Sequence, residues 1–187
     1  MKTESNVKYV VRLALTLLII TSVVALALAG VNSITAPAIA KLTAEKTQAA
    51  IQAVLPGGGE ELKDLPAADY EGADLVSKVY KGDKGYAIEV TPGGFDNTIT
   101  MMVGVGTDGK VLGISIIKHT ETAGLGAVAA ACTPAGEAFR GQFVGASGSV
   151  AVTKDGGAMD SITGATITSR AICDGVNAAL ACAATLG

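Results

Sequence analysis

The stretch MMVGVGTDGKVLGISII, residues 101–117, decides the fold. Met101, Val103 and Val105 fall at alternate positions, and Leu112, Ile114 and Ile116 repeat the pattern. A period of two puts each set on one face of a strand. Between the runs stands Gly106-Thr107-Asp108-Gly109. Asp-Gly between alternating runs marks a β-hairpin, so the two strands are expected to pair antiparallel. The same residues offer a competing match, because GVGTDG at 104–109 fits G-x-G-x-x-G. That fingerprint binds a dinucleotide only where a strand ends and a helix opens. Here it joins two strands, and the dinucleotide reading fails.

Upstream, Tyr86, Ile88 and Val90 alternate with Ala87 and Glu89, which predicts an earlier strand. Before it, residues 39–55 carry Ile39, Leu42, Ala50 and Val54 at loose helical spacing, and PGGGEE at 56–61 stops that helix. Downstream, HTETAGLGAVAAAC at 119–132 reads as a polar loop running into an alanine-rich helical stretch. Val150–Val152 reads as a short strand. From Ser169 onward, Ile172, Val176, Leu180 and Ala183 line one helical face, with Arg170, Asp174 and Asn177 elsewhere. The expected fold is α+β, an antiparallel sheet packed with helices.

A membrane helix is expected to precede it. Residues 13–30, LALTLLIITSVVALALAG, lie in a run with no charge from Leu13 to Ala40. About 20 apolar residues span a bilayer as a helix. The competing reading is a cleaved signal peptide, with Lys2, Lys8 and Arg12 as its basic region and Ala27-Leu28-Ala29 as a cleavage site. The run is longer than the apolar region of such a peptide, which favours a retained anchor. Lys and Arg precede the segment and none follows it until Lys41, so the N-terminus is expected in the cytoplasm. Pro37 is expected to end or bend the helix. The expected organisation is a cytoplasmic tail at 1–12, a transmembrane helix at 13–34, a connecting helical segment at 35–60 and an extracytoplasmic domain at 61–187.

Composition narrows the function. Hydrophobic residues make up 49% of the chain and charged residues 17%, an excess concentrated in the first forty positions. The remainder is long enough to bury its own core. The net charge is -3 and there is no basic block, which argues against a nucleic-acid partner. Cys132, Cys173 and Cys182 form no C-x-x-C pair, and the single His119 has no ligand cluster around it. No metal site is expected, and the cysteines read as small buried hydrophobes.

The chemistry concentrates in DSITGATITSR, residues 160–170. Thr168 or Ser169 is expected to cap the closing helix. Gly164 suits a positive φ or a close approach of backbone to a ligand. The free N–H groups of a helix mouth favour phosphate. Thr166 sits at that mouth, yet nothing nearby in sequence would activate its hydroxyl for catalysis. It is better placed to be modified than to turn over substrate, and no catalytic residue is assigned. Read without a ligand, the same residues are ordinary capping and turn formers.

Asp160-x-x-Thr163-Gly164-Ala165-Thr166 resembles the flavinylation motif D-x-x-(S/T)-G-A-T of the FMN-binding domain family. The resemblance implies FMN joined to Thr166 as a phosphodiester by a flavin transferase, with Asp160 as the transferase's recognition carboxylate. It adds Thr163, Gly164, Ala165 and Thr168 to the cofactor site. His119-Thr120-Glu121-Thr122-Ala123-Gly124-Leu125-Gly126 is similar to the family's H-x-E-T-P-G-L-G loop, with Ala123 in place of Pro. That similarity implies flavin contacts from Glu121, Thr122, Gly124, Leu125 and Gly126, with His119 orienting the loop. Thr91-Pro92-Gly93-Gly94-Phe95 matches a glycine-rich family segment only loosely, and no flavin contact is carried over from it.

With one anchor and a short outside domain, the chain resembles the G-subunit branch of the family, from the Rnf ferredoxin:NAD+ oxidoreductases. This implies an electron-transfer subunit in an ion-translocating membrane complex, with other subunits as partners and no independent turnover. The alternatives are the related C subunit of sodium-pumping NADH:quinone oxidoreductase, a stand-alone anchored flavoprotein, or an anchored scaffold in which the motif is only a cap.

Overall fold

The computed structural model describes residues 2–62 and 70–186, with side chains from residue 8. Residues 1, 63–69 and 187 of the expected tail and domain lie outside the described residues. The chain divides into two compact units, Met1–Ala44 and Glu45–Gly187.

Helix α1 spans Lys2–Val54. It is long and apolar enough to cross a membrane, and Leu17, Ile20, Leu26 and Leu28 stand exposed along it. Pro37 lies inside the helix and does not end it. A proline removes one donor, here the partner of the Ser33 carbonyl, while the flanking turns retain theirs. Hydroxyls within the run turn back on their own helix: Thr16 donates to the Arg12 carbonyl at 2.8 Å and Thr21 to that of Leu17 at 2.9 Å.

The second unit is built on five antiparallel strands in sequence order: β1 (Glu60–Glu61), β2 (Val76–Gly82), β3 (Gly85–Val90), β4 (Thr100–Gly106) and β5 (Val111–Lys118). The expected hairpin joins β4 to β5. Gly109, at φ 72°, donates to the Gly106 carbonyl at 2.9 Å. Both faces of β4 are covered. Met101, Val103 and Val105 belong to one buried cluster and Met102 to another. The first cluster packs under α3 (Thr166–Leu186), where Ile172 and Val176 are fully buried and Leu180 and Ala183 nearly so. The second is covered by the end of α1, through Ala50, Ile51 and Val54. Of the helical face expected from 39 to 55, Ala50 and Val54 are buried, while Ile39 and Leu42 are exposed.

The face of β5 differs from the expected one. Val103 pairs with Ile114, but Val105 pairs with Val111. Leu112 is the extra residue of a bulge, which reverses the parity of the strand end. Val111 therefore enters the core and Leu112 stays on the surface. The alanine-rich stretch forms a 3-10 turn, Gly126–Ala130, and the helix comes later as α2 (Pro134–Gly141). Thr133 caps α2 by accepting from the Gly136 N–H at 3.3 Å, with Pro134 at its first turn. Around 150–152 there is a single parallel bridge, Val152 to Met159, rather than a strand. Cys173 and Cys182 are buried as expected, whereas Cys132 is exposed.

Candidate functional site

Helix α3 begins at Thr166, two or three residues before the expected cap at Thr168 or Ser169. Ala165 supplies the first helical acceptor, bonded by the Ser169 N–H at 3.0 Å. Thr168 and Ser169 therefore lie in the first turn and do not cap it. Their hydroxyls have other partners. Ser169 Oγ donates to the Ala165 carbonyl at 3.0 Å and accepts from the Ile162 N–H at 3.0 Å, which ties the 160–165 loop to the helix. Thr168 Oγ1 donates to Glu121 Oε2 at 2.5 Å. The N–H groups of Thr166, Ile167 and Thr168 have no helical acceptor, as geometry requires of a first turn.

Glu121 joins three segments. It is buried at 8% exposure. One oxygen takes the Thr168 hydroxyl and the other accepts from the Phe95 N–H at 2.9 Å. The loops at 91–95 and 119–126 and the mouth of α3 thus meet on one carboxylate. Gly126 lies so close to both Glu121 and Thr168 that a Cβ there would strike their oxygens. With both oxygens engaged and little exposure, Glu121 ties its loop to the 91–95 loop and to the mouth of α3.

Leu125 projects from this loop to Gly164. A Cβ on Gly164, at φ 77°, would lie 3.0 Å from Leu125 Cδ2. Leu125 is 42% exposed and Ile167, next to Thr166, 50% exposed. Thr166, next to Ile167 and two residues after Gly164, is half-buried. Thr122, Gly124, Thr163 and Gly164 are exposed, and Ala165 is buried. A cavity of about 970 Å³ lined by Glu71, Tyr86, Asp174 and Asn177 contains none of these residues.

Two site residues escaped the sequence reading. Lys154 Nζ donates to Thr166 Oγ1 at 2.9 Å, although the residues are twelve positions apart. Gln142 grips the backbone of Asp160: its Oε1 accepts from the Asp160 N–H at 2.7 Å and its Nε2 donates to the carbonyl at 3.0 Å. The Asp160 side chain is left exposed. Beside Lys154, Asp155 accepts two bonds from Arg170, both 2.6 Å, fastening the 153–155 turn to α3. The Arg170 hydrogen bond holds the Asp155 carboxyl below its ordinary value. His119, expected to orient the loop, has a buried Nδ1 without a hydrogen-bond partner among the described residues.

The FMN-binding domain family matches residues 94–181, a span that includes Glu121, Asp160 and Thr166. The chain is 33% identical to the G subunit of the Na(+)-translocating ferredoxin:NAD(+) oxidoreductase complex of Acetobacterium woodii, over 94% of this chain and 92% of that protein. The chain belongs to the G-subunit family of these complexes. The G subunit of the ion-translocating oxidoreductase complex of Methanosarcina acetivorans is 31% identical over 94% of this chain and 95% of its own length. That of Yersinia pestis is 37% identical over 80% and 79% respectively. Similarity to the G subunits thus extends beyond the flavin-binding match into the N-terminal helix.

The residues fit a flavin mononucleotide. One ammonium and the open amides of a helix mouth meet at Thr166, a donor set suited to phosphate. Exposed Leu125 and Ile167 beside it offer apolar surface for a ring. Gly164 keeps side-chain bulk off the approach.

Proposed function

We propose that this chain carries FMN covalently on Thr166 as a phosphodiester and relays electrons within a membrane-bound, ion-translocating ferredoxin:NAD+ oxidoreductase complex. The observation that carries the reading is the approach of Leu125 to Gly164, two residues before Thr166, with Glu121 bonded to Thr168 two residues after it. Membership of the G-subunit family supports the complex, and the apolar helix supports membrane attachment. In this reading the basic residues before the helix keep the N-terminus in the cytoplasm and put the flavin domain on the other side.

When bound, the flavin supplies one- and two-electron redox chemistry. The chain's own residues hold and orient it. The first-turn amides and Lys154 face the phosphate, whose single ester charge they match. Leu125 would offer apolar surface to the ring, and Thr122, Thr163 and the backbone of Gly124, Gly126 and Ala165 would help to hold the group. Thr168 acts indirectly, by holding Glu121. Asp160, exposed and fixed through its backbone, is the carboxylate a flavin transferase would recognise. A covalent link keeps the site filled on the side of the membrane away from cytosolic FMN, because attachment makes occupancy independent of free cofactor. A single helix with few polar groups provides no ion pathway, so translocation belongs to partner subunits.

The test is the intact mass of denatured chains, wild type beside Thr166→Ala, each coexpressed with a flavin transferase. The expected result is one FMN less a water on the wild type and the bare mass for the variant. Bare mass for both would reduce the stretch to a helix mouth without a cofactor.

A further inference from the structure

Lys154 has no role in the family resemblance, and the structure puts it on the one hydroxyl that matters most. We propose that Lys154 is the cation that receives the flavin phosphate as it is joined to Thr166 and that holds the ester afterwards. This rests on Thr166 being the attachment residue.

The geometry argues for it in three steps. First, the ammonium lies 2.9 Å from Thr166 Oγ1, so a phosphorus bonded to that oxygen would bring its other oxygens within reach of the same Nζ. An ammonium is a donor only, so Lys154 offers positive charge and not a base. Second, the neighbouring cations are engaged elsewhere. Arg170 is committed to Asp155 through two bonds and Arg140 to the carbonyls of Ala129 and Ala131. Among the described residues, Lys154 is the side-chain cation bonded to Thr166. Third, its backbone is fixed. Val152 and Met159 bridge the base of the turn, and Asp155, the next residue, is tied to α3 by Arg170. The turn and the helix that carry the two partners are thereby held together.

In the attachment step, the Thr166 Oγ1–P bond forms while the anhydride P–O bond of a flavin dinucleotide donor breaks. The leaving nucleoside monophosphate keeps the electron pair, and the hydroxyl proton passes to a base on the transferase. Negative charge gathers on the phosphoryl oxygens during this exchange. A positioned cation there lowers the barrier through electrostatic stabilisation and contributes without moving. Afterwards the diester retains one charge, which the ammonium continues to face.

The experiment is a time course of attachment in full-length chains, read as intact mass with purified transferase and flavin dinucleotide. Wild type is compared with Lys154→Gln, Lys154→Arg and Lys110→Gln. Lys110, in the β4–β5 turn, controls for loss of one unit of net charge. Loss of a hydrogen bond to a charged group corresponds to roughly a tenfold change in rate. The expected result is about that slowing in Lys154→Gln, near-normal attachment in Lys154→Arg, which keeps the charge, and no change in Lys110→Gln. Attachment to Lys154→Gln at the wild-type rate would overturn the proposal. So would an equal loss in Lys154→Arg, since geometry and not charge would then be at issue, or an equal loss in Lys110→Gln. A wild-type chain that takes no flavin is a separate failure, because it removes the attachment reading itself.

Discussion

Glu121 Oε2 accepts a 2.5 Å hydrogen bond from Thr168 Oγ1, and this contact brings together residues 47 positions apart. Its other oxygen holds the Phe95 amide, so one buried carboxylate ties two loops to the mouth of α3. The residues proposed to face the flavin stand on those segments. Glu121 therefore acts on the site through Leu125 and Gly126, which follow it closely in the chain, and through the first turn of α3.

Glu121→Ala is expected to strand the Thr168 hydroxyl and the Phe95 amide together. Thr168 is 2% exposed, so water cannot easily replace the lost acceptor. Leaving a buried donor unpaired costs about 1–3 kcal/mol. Glu121→Gln keeps one acceptor oxygen and is expected to lose about half as much by the same reasoning. Urea unfolding followed by circular dichroism measures both. A midpoint unchanged in Glu121→Ala would show that the carboxylate does not hold the loops.

Gly164→Ala tests the approach of the two motif loops. Gly164 has φ 77°, in the left-handed region, and an added Cβ meets Leu125 Cδ2 at 3.0 Å. A non-glycine residue in that conformation costs about 1–2 kcal/mol. The expected outcome is a loss of that size in unfolding free energy. Leu125→Ala is expected to relieve the contact part but not the backbone part, so the double variant should recover only partly. Full recovery would assign the whole penalty to the side-chain contact.

Much of this arrangement was legible in the sequence, and the gaps have identifiable physical causes. Strands β3, β4 and β5 and the buried face of α3 follow from periodicity, because a regular element repeats its environment at fixed spacing, whereas β1 and β2 were not read from the sequence. The bulge at Leu112 does not, since an extra residue is defined against the partner strand and leaves the alternation intact. Helix α2 had a usable signal in Thr133-Pro134, a cap followed by a first-turn proline, which the alanine-rich run before it obscured. The start of α3 was displaced because Thr168 and Ser169 look like caps until their distant partners are known. The motif loops gave the site its location. Lys154 and Gln142 reach Thr166 and Asp160 across 12 and 18 positions, and no local pattern reports such a contact.

The cysteines are expected to differ in reactivity. The thiolate is the reactive form. Burial, with Asp174 and Asp155 adding to it, pushes the Cys173 thiol up to about 11. Burial also raises Cys182, whereas Cys132 is exposed. Iodoacetamide at pH 8 should therefore add one label to the native chain and label all three cysteines in urea. Mass spectrometry reads the count, and Cys132→Ser should remove the native label. Prompt labelling of Cys173 in the folded chain would show that the α3 face is open to solvent.

The Asp155–Arg170 pair gives a pH dependence whose sign is fixed. The Arg170 hydrogen bond lowers the Asp155 carboxyl from its ordinary 3.8, so the folded state binds the proton less readily than the unfolded one. A carboxyl lowered in this way contributes stability that is fully present above 3.8 and is lost as pH falls through its lower folded value. Both partners are exposed, and solvent screens the pair, so the contribution is small. Thermal unfolding of wild type and Asp155→Asn should show a constant gap between pH 5 and 7 that closes as the pH drops below 4. The same variant loosens the turn that carries Lys154, so its flavin attachment should slow at neutral pH without reaching the loss expected for Lys154→Gln. A gap that widened in acid would mean that the ion pair is not what fastens this turn to α3.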